Sequence, residues 1–260
     1  MTIEVVHIHG FKCAGTTIAT LLAHNFGPSF RCVESTLRSK RLPWLQVIGH
    51  PELSGVRAVS SHTITPPPRG ARPLVFGMVR NPSERLISAW RFFRRQSSQP
   101  DFPFSGYLYR QRHLKNYQSR LYSPQFGELS GELPLWGQHC DHLQLGHHYF
   151  LGTVDRYAES LVIIQYLLSL RGIEFQPFVS TENAAIADEN KALPDVPIPE
   201  EYIHLDNLLY RRCDELITTF REVVPHFETR LEAMTRSAQV ETRFRHLVDS
   251  ENFLRIPVHH

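Results

Sequence analysis

One stretch decides the fold: Val5-Val6-His7-Ile8-His9-Gly10-Phe11-Lys12-Cys13-Ala14-Gly15-Thr16-Thr17-Ile18-Ala19-Thr20-Leu21-Leu22. Its apolar start predicts a short buried strand, because β-branched residues favour strands. Gly10 and Gly15 predict a loop that brings the backbone close to a ligand. From Thr16 onward, apolar residues at helical spacing predict an amphipathic helix. A loop that leads into a helix N-terminus binds anions, because unpaired N–H groups and the helix dipole point towards it.

The spacing of this loop is close to that of the nucleotide-binding P-loop, G-x-x-x-x-G-K-[ST]. Gly10 and Gly15 take the glycine positions and Thr17 the hydroxyl position, but Thr16 replaces the lysine. The lysine of this loop is Lys12, four residues earlier. Because a P-loop lysine reaches the β- and γ-phosphates beside magnesium, its displacement predicts a loop for a 5′-phosphate, with the lysine elsewhere along the leaving group. The alternative is an ordinary strand–glycine–helix turn.

The length of the chain, 260 residues, suffices to bury about three quarters of its unfolded surface. It favours one domain over residues 1–260, with a core over 3–225 and a helical C-terminal extension over 226–260. We find no signal segment and no apolar run long enough to span a membrane. The widely spaced cysteines favour reduced thiols, which predicts a cytoplasmic location; they are Cys13, Cys32, Cys140 and Cys213.

The net charge of +2 conceals an asymmetry between the two halves of the chain. Residues 1–120 carry 17 Lys and Arg against 5 Asp and Glu, whereas residues 121–260 carry 11 against 21. A basic half around a phosphate loop fits a polyanionic ligand, and a solvated basic face is the alternative. Nucleic acid is not predicted as a partner, because the arginines follow no known binding motif.

A second motif follows the apolar run over 74–79, which is typical of a central parallel strand. Asn81 is a good N-cap, Pro82 suits the first helical position, and Glu84 completes a capping box. Arg80 is therefore expected at the carboxyl end of a strand, where doubly wound sheets bind ligands, and Ser88 two turns into the next helix. A guanidinium and a hydroxyl can share a phosphate there. Taken alone, each of these two residues is more typical of a structural role.

Further strands over 56–61 and 149–154, with helical patterns between the strands, predict an α/β fold. We expect a P-loop-type parallel β-sheet flanked by helices, with additional C-terminal helices. Four histidines, His139, His142, His147 and His148, lack the companions and tight spacing of a zinc site, so no metal is predicted.

Together these motifs resemble the PAPS-dependent sulfotransferases. The likeness is to the branch with the heparan sulfate 2-O-sulfotransferases, the Golgi carbohydrate sulfotransferases and many bacterial members. It extends to Asn116–Arg120 (N-x-Q-x-R), to residues 150–161 and to Asp206 with Tyr210, and covers roughly residues 3–225. The lead-in His7-Ile8-His9-Gly10-Phe11-Lys12 is longer than usual and lacks the family's proline.

The resemblance implies transfer of a sulfuryl group from PAPS to a hydroxyl of a carbohydrate, or of another small-molecule or lipid alcohol. PAP is then the product, and no metal is required. It implies that the first loop binds the 5′-phosphosulfate and that Arg80 and Ser88 bind the 3′-phosphate. The loop residues concerned are Lys12, Ala14, Gly15, Thr16 and Thr17, and Gln118 and Arg120 are substrate-binding candidates.

Lys12 is expected to stabilise charge on the bridging and leaving oxygens. A histidine is a suitable base for the acceptor hydroxyl, and His62 is our candidate, because it follows a predicted strand and is placed like the family's catalytic histidine. His7, His9 and His50 compete with it. Two other classes stay open: a P-loop kinase or NTPase, and a non-catalytic PAPS- or nucleotide-binding protein. Thr16 in place of lysine argues against the first.

Overall fold

A computed structural model describes residues 3–37, 40–67, 72–97, 99, 101–122, 148–178, 194–237 and 253–258. Its centre is a parallel sheet of six strands in the order β5-β4-β1-β3-β2-β6. The strands are β1 (Val5–Ile8), β2 (Phe30–Ser35), β3 (Ala58–Ser61), β4 (Leu74–Val79), β5 (Tyr149–Thr153) and β6 (Phe253–Ile256). The predicted α/β fold is confirmed.

Helices flank the sheet on both sides. They are α1 (Gly15–Phe26), α2 (Trp44–Ile48), α3 (Pro82–Gln96), α4 (Phe104–Arg110), α5 (Tyr117–Tyr122), α6 (Tyr157–Ser169), α7 (Glu200–Val223) and α8 (Phe227–Ser237). One apolar cluster joins α1, α6 and α8 to one face of the sheet. A second cluster covers the opposite face, and a third lies between α3 and α4.

The order of the strands places a ligand-binding edge at the end of β1. This strand is buried along its whole length and lies between β3 and β4. The chain leaves β1 on one side, through β2 and β3, and returns on the other side in β4. The carboxyl end of β1 is therefore a topological switch point, where open α/β sheets bind their ligands.

The start of α3 agrees with its predicted cap. The side chain of Asn81 accepts hydrogen bonds from the amides of Ser83, at 3.1 Å, and Glu84, at 3.3 Å. Glu84 differs from the prediction, because its carboxylate contacts the guanidinium of Arg80 at 3.3 Å. Arg80 is thus held beside the helix that it precedes.

The predicted helical extension over 226–260 is wrong for its end. Residues 227–237 form α8, but Phe253–Ile256 forms β6, an edge strand parallel to β2. The reason is that Leu254 and Ile256 alternate with more exposed neighbours and pack against the sheet's second apolar cluster. In the sequence, this alternation extends over only four residues, so it did not outweigh the helical pattern that precedes it.

Three cysteines within the described ranges, Cys13, Cys32 and Cys213, are buried free thiols. Cys140 and the histidines at 139, 142 and 147 lie outside the described residues. The structure describes no helix that is both long and apolar enough to cross a bilayer. Among the described side chains, no group of three or more metal-ligating residues occurs.

Candidate functional site

The loop between β1 and α1 has backbone angles that are typical of anion-binding turns. Lys12 and Ala14 have left-handed backbone angles, with φ of 65° and 58°. The amide of Cys13 donates to the carbonyl of Gly10 at 3.1 Å and closes the turn. Alternating left-handed residues point successive amides to one side, and the first amides of α1 have no intrahelical acceptor. Ala14, Gly15 and Thr16 lie in this turn and at the first residues of α1, and their binding of a phosphate stays a prediction.

Gly15 is needed because His9 occupies the space beside it. A β-carbon at Gly15 would lie 1.7 Å from Cδ2 of His9, so no other residue fits without moving the imidazole. Thr16 is exposed at the start of α1, and Thr17 is half-buried. The longer lead-in is therefore accommodated by folding His9 back over the helix N-terminus.

Lys12 lies in a cluster of cations. Its ammonium sits over the ring of Phe92 on α3, 4.7 Å from the centroid. Burial lowers the pKa of Lys12, and the nearby charges of Arg95 and Arg80 lower it further. Because positive groups repel one another, this arrangement is stabilised by a bound anion.

Arg80 belongs to this cluster, and Ser88 lies on the helix that contributes Phe92 and Arg95 to it. Phe92 and Arg95 of α3 both act on Lys12, and Ser88 precedes Phe92 by one helical turn, so it lies on the same face. The side chain of Arg80 is half-buried and its charge reaches Lys12. The structure therefore brings Lys12 close to Arg80, which is far away in sequence, and places Ser88 one helical turn before Phe92 on α3.

Gln118 connects the loop to the Arg80 turn. Its side-chain oxygen accepts from the amide of Arg80 at 2.7 Å and from the thiol of Cys13 at 3.3 Å. Its side-chain nitrogen donates to the carbonyl of Arg80 at 2.9 Å. Gln118 is completely buried, so the prediction that it contacts substrate is wrong. It positions Arg80 instead, because its polar atoms are occupied by the backbone that carries the guanidinium.

A second set of buried contacts holds Gln118 in place. The carboxylate of Asp206 on α7 accepts from the amides of Ser119, at 2.8 Å, and Gln118, at 3.2 Å. The side chain of Asn116 accepts from the amide of Leu205 at 3.0 Å. The N-x-Q-x-R segment and the late Asp206 segment thus form one framework. Sequence reasoning found these residues but not this role.

His62 lies just beyond the end of β3 and faces the loop. Its Nδ1 is 2.7 Å from the carbonyl oxygen of His9, and the two imidazole rings are 3.7 Å apart. Since a carbonyl only accepts, Nδ1 carries the proton and Nε2 of the neutral ring is the acceptor. The amide of His62 donates to the carboxylate of Glu34 at 2.8 Å. His62 is therefore oriented both through its backbone amide and through its ring, as a general base requires.

The three competing histidines are placed differently. His7 is completely buried against Ser60 at 2.8 Å, and burial lowers its pKa to about 3. Burial also lowers the pKa of His9 well below 6.5. His50 lies outside the cleft that His62 lines. Of the candidates, His62 alone combines exposure with a fixed donor on one ring nitrogen.

A large cleft of about 1200 Å³ opens beside His62. Its walls are aromatic and basic, and Arg120, the other predicted substrate residue, is exposed on its rim. Lys12, Arg80 and Ser88 do not line it, so the cleft and the cation cluster are separate regions that meet at the loop. Residues from the described ranges on its walls include His9, Phe11, Thr16, Glu34, Arg41, Phe92, Tyr107, His113, Tyr117 and Arg255.

Comparison with known proteins adds no assignment: no protein-family model matches the chain, and no curated protein matches it in sequence. The basis for a function is therefore the site itself: the β1–α1 loop has a cation cluster beside it and borders the cleft that the oriented His62 lines.

Proposed function

We propose that the protein is a sulfotransferase that moves a sulfuryl group from PAPS to an acceptor hydroxyl. The observation that carries this proposal is the cluster of Lys12, Arg80 and Arg95 beside a loop that has no lysine at the P-loop position. Such a cluster suits a donor with phosphate at both its 5′ and 3′ positions. The resemblance of the motifs to the sulfotransferase family supports the same conclusion.

Each site residue takes a definite role in this proposal. The amides of residues 14–17 and the hydroxyls of Thr16 and Thr17 hold the 5′-phosphate. Arg80 and Ser88 hold the 3′-phosphate. This mechanism uses no metal, because Lys12 supplies the positive charge for the leaving oxygen and phosphate is a good leaving group.

The transfer is an in-line displacement at sulfur. The acceptor oxygen forms a bond to sulfur while the bond from sulfur to the bridging oxygen breaks, and that oxygen leaves on PAP. Nε2 of His62 takes the proton of the acceptor hydroxyl. Lys12 stabilises the negative charge that develops on the leaving oxygen. Positioning and charge stabilisation supply most of the rate enhancement.

The acceptor in this proposal is a small-molecule or carbohydrate alcohol that enters the cleft beside His62. The size of the cleft favours an acceptor larger than one ring. Buried free thiols fit a cytoplasmic enzyme.

Transfer of labelled sulfate from PAPS to a panel of hydroxyl acceptors tests the proposal. We expect transfer by the wild type and losses of about a hundredfold or more in Lys12→Ala and His62→Ala. Full activity in both variants, or no transfer by a folded wild type that binds PAP, would refute it.

Two alternatives predict other results. A P-loop kinase or NTPase needs a lysine at position 16 and carboxylates for magnesium, but His62 and Arg80 follow β3 and β4. Stabilisation by ATP–Mg²⁺ and not by PAP would support that class. A non-catalytic nucleotide-binding protein would bind PAP and transfer nothing, although it has little need of an oriented His62.

A further inference from the structure

The C-terminal strand β6 reaches the same cleft as His62. Phe253 and Arg255 both line this cleft, although they are nearly 200 residues from His62 in sequence. The strand is fixed in place, because Leu254 and Ile256 on its other side pack in the sheet's second apolar cluster. The exposed pair is therefore presented from a rigid element.

Register along the sheet sets the distance from β6 to His62. Phe253 is the partner of Cys32 on β2, which is the partner of Ser60 on β3. Two residues further along each strand come Arg255, Glu34 and His62. Neighbouring strands are about 4.8 Å apart, so the backbones of Arg255 and His62 are roughly 10 Å apart. An acceptor at His62 that extends along this row meets Arg255.

The pair combines an aromatic ring, from Phe253, with a cation that can bind an anion, from Arg255. Phe253 is an exposed aromatic residue, with 50% of its surface accessible. Arg255 is exposed and has no ion pair with any residue that the structure describes. Arg120 adds positive charge on the rim of the same cleft.

Glu34 lies between Arg255 and His62, and the structure describes no ion pair between its carboxylate and Arg255. Its two carboxylate oxygens accept from the amide of His62, at 2.8 Å, and the hydroxyl of Thr63, at 3.0 Å. Its remaining lone pairs can accept from a hydroxyl of a molecule that passes over it. This row therefore offers a hydrogen-bond acceptor and a cation beside His62, and Phe253, two residues earlier on β6, adds an apolar surface in the same cleft.

We infer that β6 is the acceptor-recognition element of the cleft. Phe253 packs against a ring of the acceptor, and Arg255 binds an anionic group about 10 Å from the hydroxyl that is sulfated. This inference rests on the proposed function, and it deepens that function by naming the acceptor class: a ring-containing alcohol with a carboxylate or similar anion at its far end.

Rigid probes of matched length test it by calorimetry, on the protein saturated with PAP. The probes are 4′-hydroxybiphenyl-4-carboxylate, which has roughly the required length, its neutral carboxamide, and the shorter 4-hydroxybenzoate. We expect the wild type to bind the biphenyl carboxylate about tenfold more tightly than either of the others. Arg255→Gln should abolish the preference over the carboxamide, and Phe253→Ala should weaken both biphenyls equally.

The matched control is Arg236→Gln, which removes the same charge from an exposed position on α8 and should keep the preference. Equal binding of carboxylate and carboxamide by the wild type, or a preference retained in Arg255→Gln, would overturn the inference. Because binding is measured without turnover, the two proposals fail separately. Sulfate transfer without any preference refutes this inference alone, and a preference without sulfate transfer from PAPS refutes the proposed function.

Discussion

The Nδ1 atom of His62 lies 2.7 Å from the backbone carbonyl oxygen of His9. His9 thus orients the proposed base twice, through this hydrogen bond and through its tilted ring, whose centroid lies 3.7 Å from that of His62. His9 also covers Gly15 at the start of α1. One residue therefore ties the position of the base to the shape of the phosphate loop.

This relationship predicts the behaviour of His62→Asn. The asparagine amide can still donate to the carbonyl of His9, but it has no basic nitrogen in the position of Nε2. We expect PAP affinity and thermal stability close to those of the wild type, with sulfuryl transfer reduced by roughly a hundredfold to ten-thousandfold. Single-turnover transfer and PAP calorimetry measure the two properties.

The control for this prediction is His50→Asn, at a histidine outside the cleft, which should leave the transfer rate unchanged. If His62→Asn transferred sulfate at the wild-type rate, another group would have to be the base.

The charge of Arg95 predicts a pH effect. Lys12 must be protonated to stabilise the leaving oxygen, and burial, Arg95 and Arg80 lower its pKa in that order. Activity is therefore lost as the pH rises through the pKa of Lys12. Arg95→Gln removes one lowering charge and raises that pKa, so the alkaline limb of the kcat/KM profile for PAPS should move to higher pH.

Arg110→Gln is the comparison, because Arg110 is exposed on α4 and is not among the charges acting on Lys12. An alkaline limb that stays in place in Arg95→Gln, or moves to lower pH, would contradict the role given to Lys12.

Gln118 should affect nucleotide binding without touching the nucleotide. Gln118→Met keeps the length of the side chain but leaves the amide and carbonyl of Arg80 without their partner. Such a loss costs about 1–3 kcal/mol. We expect PAP affinity to fall by about tenfold, measured by calorimetry on folded protein.

The exposed Gln176 provides the control, since Gln176→Met should bind PAP like the wild type. Unchanged PAP affinity in Gln118→Met would mean that the Arg80 turn holds its shape without this side chain.

Buried His7 predicts acid sensitivity of the fold. Its pKa is lowered from 6.5 to about 3, so below pH 6.5 the unfolded chain binds a proton that the folded chain does not. Burial of neutral His7 therefore does not reduce the free energy of unfolding above pH 6.5, and it reduces that free energy progressively as the pH falls below 6.5. His7→Gln should therefore reduce the decline in unfolding free energy between pH 6.5 and about pH 5 by about 2 kcal/mol.

Urea unfolding at several pH values measures this slope. His204→Gln, at an exposed histidine of α7, should decline like the wild type. A His7→Gln protein with the wild-type slope would show that another group controls the acid transition.

Local patterns predicted the centre of the fold. Three features depend on residues that are close in sequence and could therefore be predicted from it: the apolar run of β4, the strand–loop–helix at β1 and the Asn81 cap. The strand β6 was not, because Phe253–Ile256 becomes a strand by pairing with β2, which is far away in the chain. Tertiary pairing outweighed a weak local pattern.

In the site, too, features set by neighbouring residues were predicted from the sequence, and features set by tertiary contacts were not. Lys12, Arg80 and Ser88 were predicted from spacing; the structure brings the charges of Lys12 and Arg80 close together, and the role of Ser88 stays a prediction. The positioning role of Gln118 was missed, because a buried amide and a substrate-binding amide have the same sequence signature. The contribution of Phe253 and Arg255 to the cleft followed from sheet order alone, which no local pattern encodes.

In the proposed function, the β1–α1 loop and the Arg80 turn together hold a nucleotide with a 3′-phosphate. Calorimetric titration of the wild type with 3′,5′-ADP, with ADP that lacks the 3′-phosphate, and with ATP–Mg²⁺ tests it most directly. We predict that 3′,5′-ADP binds roughly tenfold to a hundredfold more tightly than ADP, and that Arg80→Gln removes most of this difference. Equal affinities for the two diphosphates, or tighter binding of ATP–Mg²⁺ than of 3′,5′-ADP, would contradict the claim.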